Sequence, residues 1–341
     1  MKLKSVIQST VAAGVIALST ASVAHAEIKS IVYVSPSSIG VNPFLIMGKE
    51  GTEAAAKKIG ATATTVESDT QQSKLENVSA AANDGADVVI VLGFEFNDII
   101  NDVAPTQPET EFLVVDSCPP GDRLPNVHCA VFREYESAYL MGVIAAMNSK
   151  TGKVGTVGAL DIPFLHRFSD GFAMGAAHVN PDITVETRWV GGQNPFSDPV
   201  RSKEQSLALK AAGVDVIFAA AAGGNFGIYE AAKEADFTAI AVDVNHCPQA
   251  PGLLWDSALK RVDEVIMQSI DKISNGEKST FAAFGIAENG VGAVASSSDD
   301  VLSASECLVV NSPETIAKVR EVAARIASGE LKIEDPMFAK K

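Results

Sequence analysis

Residues 84–116 read DGADVVIVLGFEFNDIINDVAPTQPETEFLVVD. Two short apolar runs, 88–92 and 112–115, flank a segment at 97–104 with helical spacing. Neither run alternates apolar with polar residues. A strand that is apolar on both faces is buried on both faces, as in a parallel sheet covered by helices. Asp116 stands directly after the second run.

The same alternation continues in both directions. Upstream, strands at 31–34 and 62–66 are followed by helices at 44–59 and 73–83. Downstream, a helix at 134–147 opens a second series. Its strands are 154–157, 184–189, 214–218 and 240–242, and its helices are 167–179, 198–212 and 226–235. Helices at 257–273 and 313–327 complete the pattern. The reading predicts an α/β chain of two doubly wound parallel-sheet lobes joined by a multi-strand hinge. Residues 27–130 plus 247–285 are expected in the first lobe, and 131–246 plus 286–341 in the second. Ligands of open α/β sheets sit at the carboxyl ends of the strands, so two facing sheets place a binding cleft between the lobes.

The 341 residues carry a formal charge of −15. That argues against nucleic acid and anionic membrane as partners, since both need basic patches. Residues 1–26 combine Lys2 and Lys4, an apolar stretch at 11–18 and a small-x-small site at Ala24-His25-Ala26. This predicts a cleavable signal peptide and a periplasmic mature protein. The four cysteines, Cys118, Cys129, Cys247 and Cys307, allow three pairings. Cys118–Cys129 with Cys247–Cys307 is the favoured set, and four reduced thiols are the alternative. No G-x-S-x-G elbow, P-loop or G-x-G-x-x-G fingerprint is present, and His128, His166, His178 and His246 lack metal-ligand spacing. No cofactor, metal or catalysis is expected.

The positions just past the strands supply the candidate site. Asn42-Pro43-Phe44 combines an N-cap, a proline suited to a first helical turn and an aromatic ring. Asp116 and Asp243 are carboxylates at strand ends. Phe196, within Gln193-Asn194-Pro195-Phe196, mirrors Phe44 from the second lobe. Gly223-Gly224-Asn225 opens a helix whose free N–H groups suit a hydroxyl or an anion. Trp255, Ser257 and Lys260 follow Asp243, with Lys260 placed one helical turn beyond Asp256 and Ser257. Two aromatics, two acids, several amides and one lysine suit a neutral, ring-shaped, hydroxyl-rich solute.

Several motifs then carry a resemblance. They are Phe132-Arg133-Glu134-Tyr135-Glu136, Lys150-Thr151-Gly152-Lys153-Val154-Gly155, Arg167-Phe168-Ser169-Asp170-Gly171-Phe172, Val179-Asn180-Pro181-Asp182-Ile183, Ala222-Gly223-Gly224 and Val242-Asp243. In this order they resemble the basic membrane protein family over nearly the whole mature chain. The resemblance implies a type I periplasmic-binding-protein fold and a substrate-binding protein of an ABC importer, with purine nucleosides as the best-known ligands. It also implies an inner-membrane permease as partner, and we expect a monomer. By the same resemblance, Asp116 would bond the base, Phe44 and Phe196 would sandwich it, and Asp243 and Lys260 would hold ribose hydroxyls near the Gly223 and Gly224 amides. In the first loop Val41 and Leu45 occupy the positions of the family's Asp and Asn. Asn42-Pro43-Phe44-Leu45 instead looks like the loop of ribose-type sugar-binding proteins, and His166 falls where those place a polar contact. A sugar or polyol ligand, or a ligand-presenting sensory role, is therefore the alternative expectation.

Overall fold

The computed structural model describes residues 27–338, so the predicted signal peptide lies outside the described residues. The first sheet begins with β1 (Ser30–Ser35), α1 (Pro43–Ile59), β2 (Thr62–Glu67), α2 (Gln71–Asn83), β3 (Val88–Leu92), α3 (Asn97–Val103), β4 (Glu111–Val115) and β5 (Val127–Phe132). The chain then crosses to α4 (Glu134–Asn148), β6 (Lys153–Gly158), α5 (His166–Val179), β7 (Thr184–Trp189), α6 (Pro199–Ala211), β8 (Val216–Ala220), α7 (Asn225–Ala235), β9 (Thr238–Asp243) and β10 (Leu254–Lys260). It returns for α8 (Val262–Ser274) and β11 (Phe281–Phe284), and ends with β12 (Val291–Ala293), α9 (Asp299–Ser303) and α10 (Pro313–Ala327).

The strand orders are β2-β1-β3-β4-β5-β11 and β7-β6-β8-β9-β10-β12. The two sheets thus repeat one topology, with β4 and β9 in equivalent places. All pairings are parallel except β10 with β12. The run that decided the fold, β3, is buried at all five positions. Val88, Ile90 and Leu92 join one apolar layer, under α1 and α8, while Val89 and Val91 join the other, with Phe96 and Ile100. Helices therefore cover both faces, which is why the strand is apolar throughout.

Three crossings link the lobes. Arg133 and Arg261 hold the first two in nearly the same conformation, with φ/ψ of −101/65 and −89/68. The third, at 285–290, is bonded to both: the Arg133 N–H donates to Phe284 O at 3.0 Å and the Arg261 N–H to Gly290 O at 2.9 Å. Disulfides join Cys118 to Cys129 and Cys247 to Cys307. Each stays within one lobe, so neither spans the crossings.

Two expectations are corrected. The helix predicted from 257 begins at Val262, because 254–260 forms β10. The buried Asp256 carboxylate accepts the N–H groups of Ser257, Val294 and Ala295 at 2.6, 2.8 and 2.9 Å. That tertiary anchor holds the segment extended against β9. Residues 254–260 consequently belong to the second sheet, and of the segment 247–285 it is α8 and β11 that pack with the first. The strands β5, β11 and β12 are also additions to the sequence reading.

Helices α4 and α5 approach through glycine. A Cβ on Gly175 would stand 1.9 Å from Tyr139 O, and one on Gly142 would stand 2.0 Å from Phe172 O. Both obstacles are backbone. Gly175→Ala is expected to cost about 1–3 kcal/mol, the usual range for overpacking, as a lowered urea midpoint at unchanged slope. An unchanged midpoint would contradict this packing.

Candidate functional site

The carboxyl ends of both sheets meet around a chamber. It is lined by Asn42, Phe44, Glu95, Asp116, Phe196, Asp243 and Lys260, with Phe94, Phe164 and Phe168 among the apolar walls. About 730 Å³ inside it is not filled by atoms, part of that open to solvent.

Local sequence explains each position. Asn42 caps α1 by accepting the Phe44 N–H at 3.1 Å, with Pro43 at the first helical position, and this turns the Phe44 ring to the chamber. Asp116 follows β4 and Asp243 ends β9. Both adopt left-handed backbone, at φ 71 and 73, and both are 7% exposed. Left-handed backbone costs a non-glycine residue about 1–2 kcal/mol, and such strain clusters at functional sites. Here it turns two equivalent carboxylates into one space.

Lys260 ends β10 and is 4% exposed. Its ammonium donates to Asp116 and lies 3.1 Å from Glu134 Oε1, off-axis for a hydrogen bond. The rings of Phe132 and Phe44 stand 4.8 and 5.1 Å from it. Burial alone would lower its pKa, but the carboxylates of Asp116, Glu134 and Asp243 outweigh burial and hold it above the ordinary lysine value. Burial pushes both strand-end carboxyls above the usual range, and Lys260 draws them back down. Behind this cluster, Arg167 reaches Glu134 at 3.3 Å and clamps Asp335 through two bonds of 2.6 and 2.9 Å.

Of the predicted site residues, Asn42, Phe44, Asp116, Phe196, Asp243 and Lys260 meet in the chamber. Gly223 lines an adjoining cavity at the cleft mouth, beside Gln193 and Asn194. The other predicted residues stand elsewhere. Gly224 is buried against Ser202, and Asn225 Oδ1 accepts the Ala221 N–H at 2.8 Å. His166 is held between Asp161 and Asp170 and packs on Trp189. Trp255 donates to Thr238 Oγ1 at 2.9 Å, and Ser257 Oγ accepts the His246 N–H at 3.3 Å. As strand residues, Trp255 and Ser257 lack the helical placement that would have aimed them at the cleft. Sequence reasoning missed Phe94 and Glu95, although they too follow an apolar strand, and Phe164 and Phe168, which come from the approach to α5 and its first turn.

Lys260→Met leaves the buried carboxylates without their ammonium, a loss expected to cost about 3–5 kcal/mol at pH 7. In the variant, Asp116 and Asp243 have folded pKa values further above their unfolded ones. Between those values the folded state binds protons that the unfolded state does not, so stability rises as pH falls. The deficit against wild type should shrink from pH 7 to pH 5 in urea unfolding. A constant deficit would count against the charge cluster.

Residues 28–335 match the Bmp family, described as ABC transporter substrate-binding protein PnrA-like. The chain is 30% identical over 273 residues to Basic membrane protein D of Borreliella burgdorferi strain JD1, covering 77% of this chain and 76% of that protein. It is 29% identical over 211 residues to an ABC transporter nucleoside-binding protein of Lactococcus lactis subsp. cremoris, covering 61% of this chain and 59% of that protein's length. A solute-binding protein of an ABC transporter system from Aeropyrum pernix K1 superposes with a TM-score of 0.78 at 25% identity, over 90% of this chain and 94% of that one. Among the described residues no helix is long and apolar enough to cross a membrane. Two like-wound lobes with a chamber between them agree with this match, and the chain belongs to the PnrA-like Bmp family of ABC transporter substrate-binding proteins, whose work is binding rather than catalysis.

Proposed function

We propose that this protein is the periplasmic binding component of an importer and takes up a purine nucleoside or a related base between its lobes. The observation that carries the reading is the chamber itself: Phe44 and Phe196 enter it from opposite lobes, beside the strand-end carboxylates Asp116 and Asp243. Aromatic rings on two walls fit a planar base. The Asp243 carboxylate accepts no hydrogen bond from the described residues and suits ribose hydroxyls, while Asp116 suits the base. The nucleoside-binding name of the Lactococcus relative supports the same ligand class. Lys260, already engaged by Asp116, serves to hold that carboxylate rather than to grip ribose. A pentose or polyol is the second reading, favoured by Asn42-Pro43-Phe44 at the chamber wall.

Closure follows from the three side-by-side crossings. A ligand favours the closed state only through its differential affinity for it, and contacts from both lobes supply that difference. The permease would then recognise the closed pair of lobes, with the protein acting as a monomer exported by its leader.

Calorimetry with purine nucleosides, purine bases and pentoses tests the ligand. We expect heat with at least one purine compound, and at 100 times its dissociation constant a stabilisation of about 2.7 kcal/mol. No heat with any purine nucleoside or base would remove the reading, and heat with pentoses alone would favour the second. Phe196→Ala removes one stacking wall worth about 0.5–1.5 kcal/mol, so the dissociation constant should rise about 2- to 12-fold at unchanged fold. An unaltered affinity would take Phe196 out of the site.

A further inference from the structure

The hydrogen-bonding groups of the chamber are strongly unbalanced. Three carboxylates line it, Glu95, Asp116 and Asp243, against the single ammonium of Lys260. That ammonium is already engaged by Asp116 and lies against Glu134. Among the described residues, no side chain donates to the carboxylate of Glu95 or of Asp243, although the Gln71 amide donates to the Glu95 carbonyl oxygen at 3.0 Å, and Asp243 is 7% exposed. The side-chain donors left facing the chamber are the Asn42 amide, whose oxygen is occupied as a cap, and the Ser37 hydroxyl. Placing carboxylates in such a space without partners is costly. A ligand that is complementary here brings N–H and O–H groups and no negative charge.

Glu95 has a particular place in this wall. It lies in the short helical turn Phe94–Phe96 directly after β3, and the preceding Gly93 has φ 99. The Glu95 carboxylate folds back over that glycine: a Cβ on Gly93 would stand 2.5 Å from Glu95 Oε2. Burial pushes the Glu95 carboxyl above its ordinary range, and its own backbone N–H is the main counterweight. Because β3 and β4 are hydrogen-bonded neighbours, their ends are about 5 Å apart. Glu95 and Asp116 therefore both belong to the first-lobe wall of the chamber, where one ligand can meet the two of them.

We propose that Glu95 is a specificity-determining residue that accepts hydrogen bonds from an exocyclic amino group, so that the cleft selects amino-substituted heterocycles over their oxo or unsubstituted counterparts and rejects phosphorylated forms. This deepens the nucleoside reading and rests on it for the ring class. Glu95 receives the amino group, Asp116 the adjacent ring nitrogen's hydrogen or a second N–H, and the Phe44 and Phe196 rings hold the plane. The acidic chamber excludes phosphate by like-charge repulsion.

The test is calorimetry on wild type, Glu95→Gln and Glu95→Ala with matched pairs: guanosine and inosine, adenosine and inosine, guanine and hypoxanthine, adenine and hypoxanthine. Guanosine monophosphate is a further arm. Wild type should prefer an amino member by about 10- to 100-fold, the worth of a hydrogen bond to a charged group. Glu95→Ala should reduce that preference to under about threefold while leaving the partner lacking the amino group within about twofold. Melting of the ligand-free protein gives a second readout. Replacing a carboxylate offset mainly by its own backbone N–H should leave Glu95→Gln at least as stable as wild type while it binds the amino ligand more weakly, an outcome that a purely structural role would reverse. If wild type binds purines without an amino preference, or Glu95→Ala keeps the preference, the inference falls and the nucleoside reading stands. If free bases bind and nucleosides do not, the proposed ligand narrows to the base and the base pairs decide Glu95. Tight binding of the monophosphate, or no binding across the whole panel, overturns the inference.

Discussion

A lysine ammonium cannot be taken out of water without charged company, and the interior of this protein is arranged around that constraint. Lys260 comes from the second sheet, Asp116 from the first, and Glu134 from the first residue of a crossing helix. One buried charge therefore ties together both lobes and the hinge. Arg167 and Asp335 extend the set outward to the carboxyl-terminal segment. Such a cluster is a poor source of net stability, because desolvation offsets most of the attraction. What it supplies is position: it determines where the ends of β4 and β10 stand when the lobes meet.

The repeated topology makes the site nearly two-fold in plan and unequal in chemistry. β4 and β9 hold equivalent places and each leads into a left-handed aspartate. Yet β10 ends in a lysine, whereas the equivalent β5 ends in Phe132, whose ring packs 4.8 Å from that lysine's ammonium. A symmetric frame thus gives each carboxylate a different neighbour. Asp116 is engaged by a cation, while Asp243 is left as an open acceptor. The two disulfides brace the loops that follow these aspartates, one in each lobe.

The alternation of fully apolar strands with helices was enough to read two parallel sheets, since burial on both faces leaves its mark on every residue of β3. Strands whose burial depends on a distant partner were not legible. β10 contains Asp256 and Ser257, and only the amides of Val294 and Ala295 explain why that carboxylate lies in a core. The rule that ligands sit at strand ends points to Asn42, Phe44, Asp116, Phe196, Asp243 and Lys260, all of which line the chamber. Lys260 was included as a helical residue, although it reaches the chamber from the end of a strand. The rule also covered Phe94 and Glu95, which were passed over. It has no purchase on Phe164, which approaches from the segment before α5 and contacts Phe94 across the cleft at 5.9 Å. Gly223-Gly224 looked like an anion cradle, but Gly224 has no Cβ because Ser202 Oγ would stand 2.6 Å from it. The same local sequence serves close packing.

The three crossings also constrain how the molecule can be made. Residues 27–132 supply five strands of the first sheet, but its sixth, β11, is 281–284, and the helix that covers α1 is 262–274. During synthesis the leading half emerges with an uncovered sheet edge and a bare apolar stripe on α1. It must wait for most of the trailing half before it can close, whereas chains with contiguous domains complete the first before the second is made. No single peptide bond divides this protein into two self-sufficient pieces. A nick or truncation between the lobes would leave both of them unfinished.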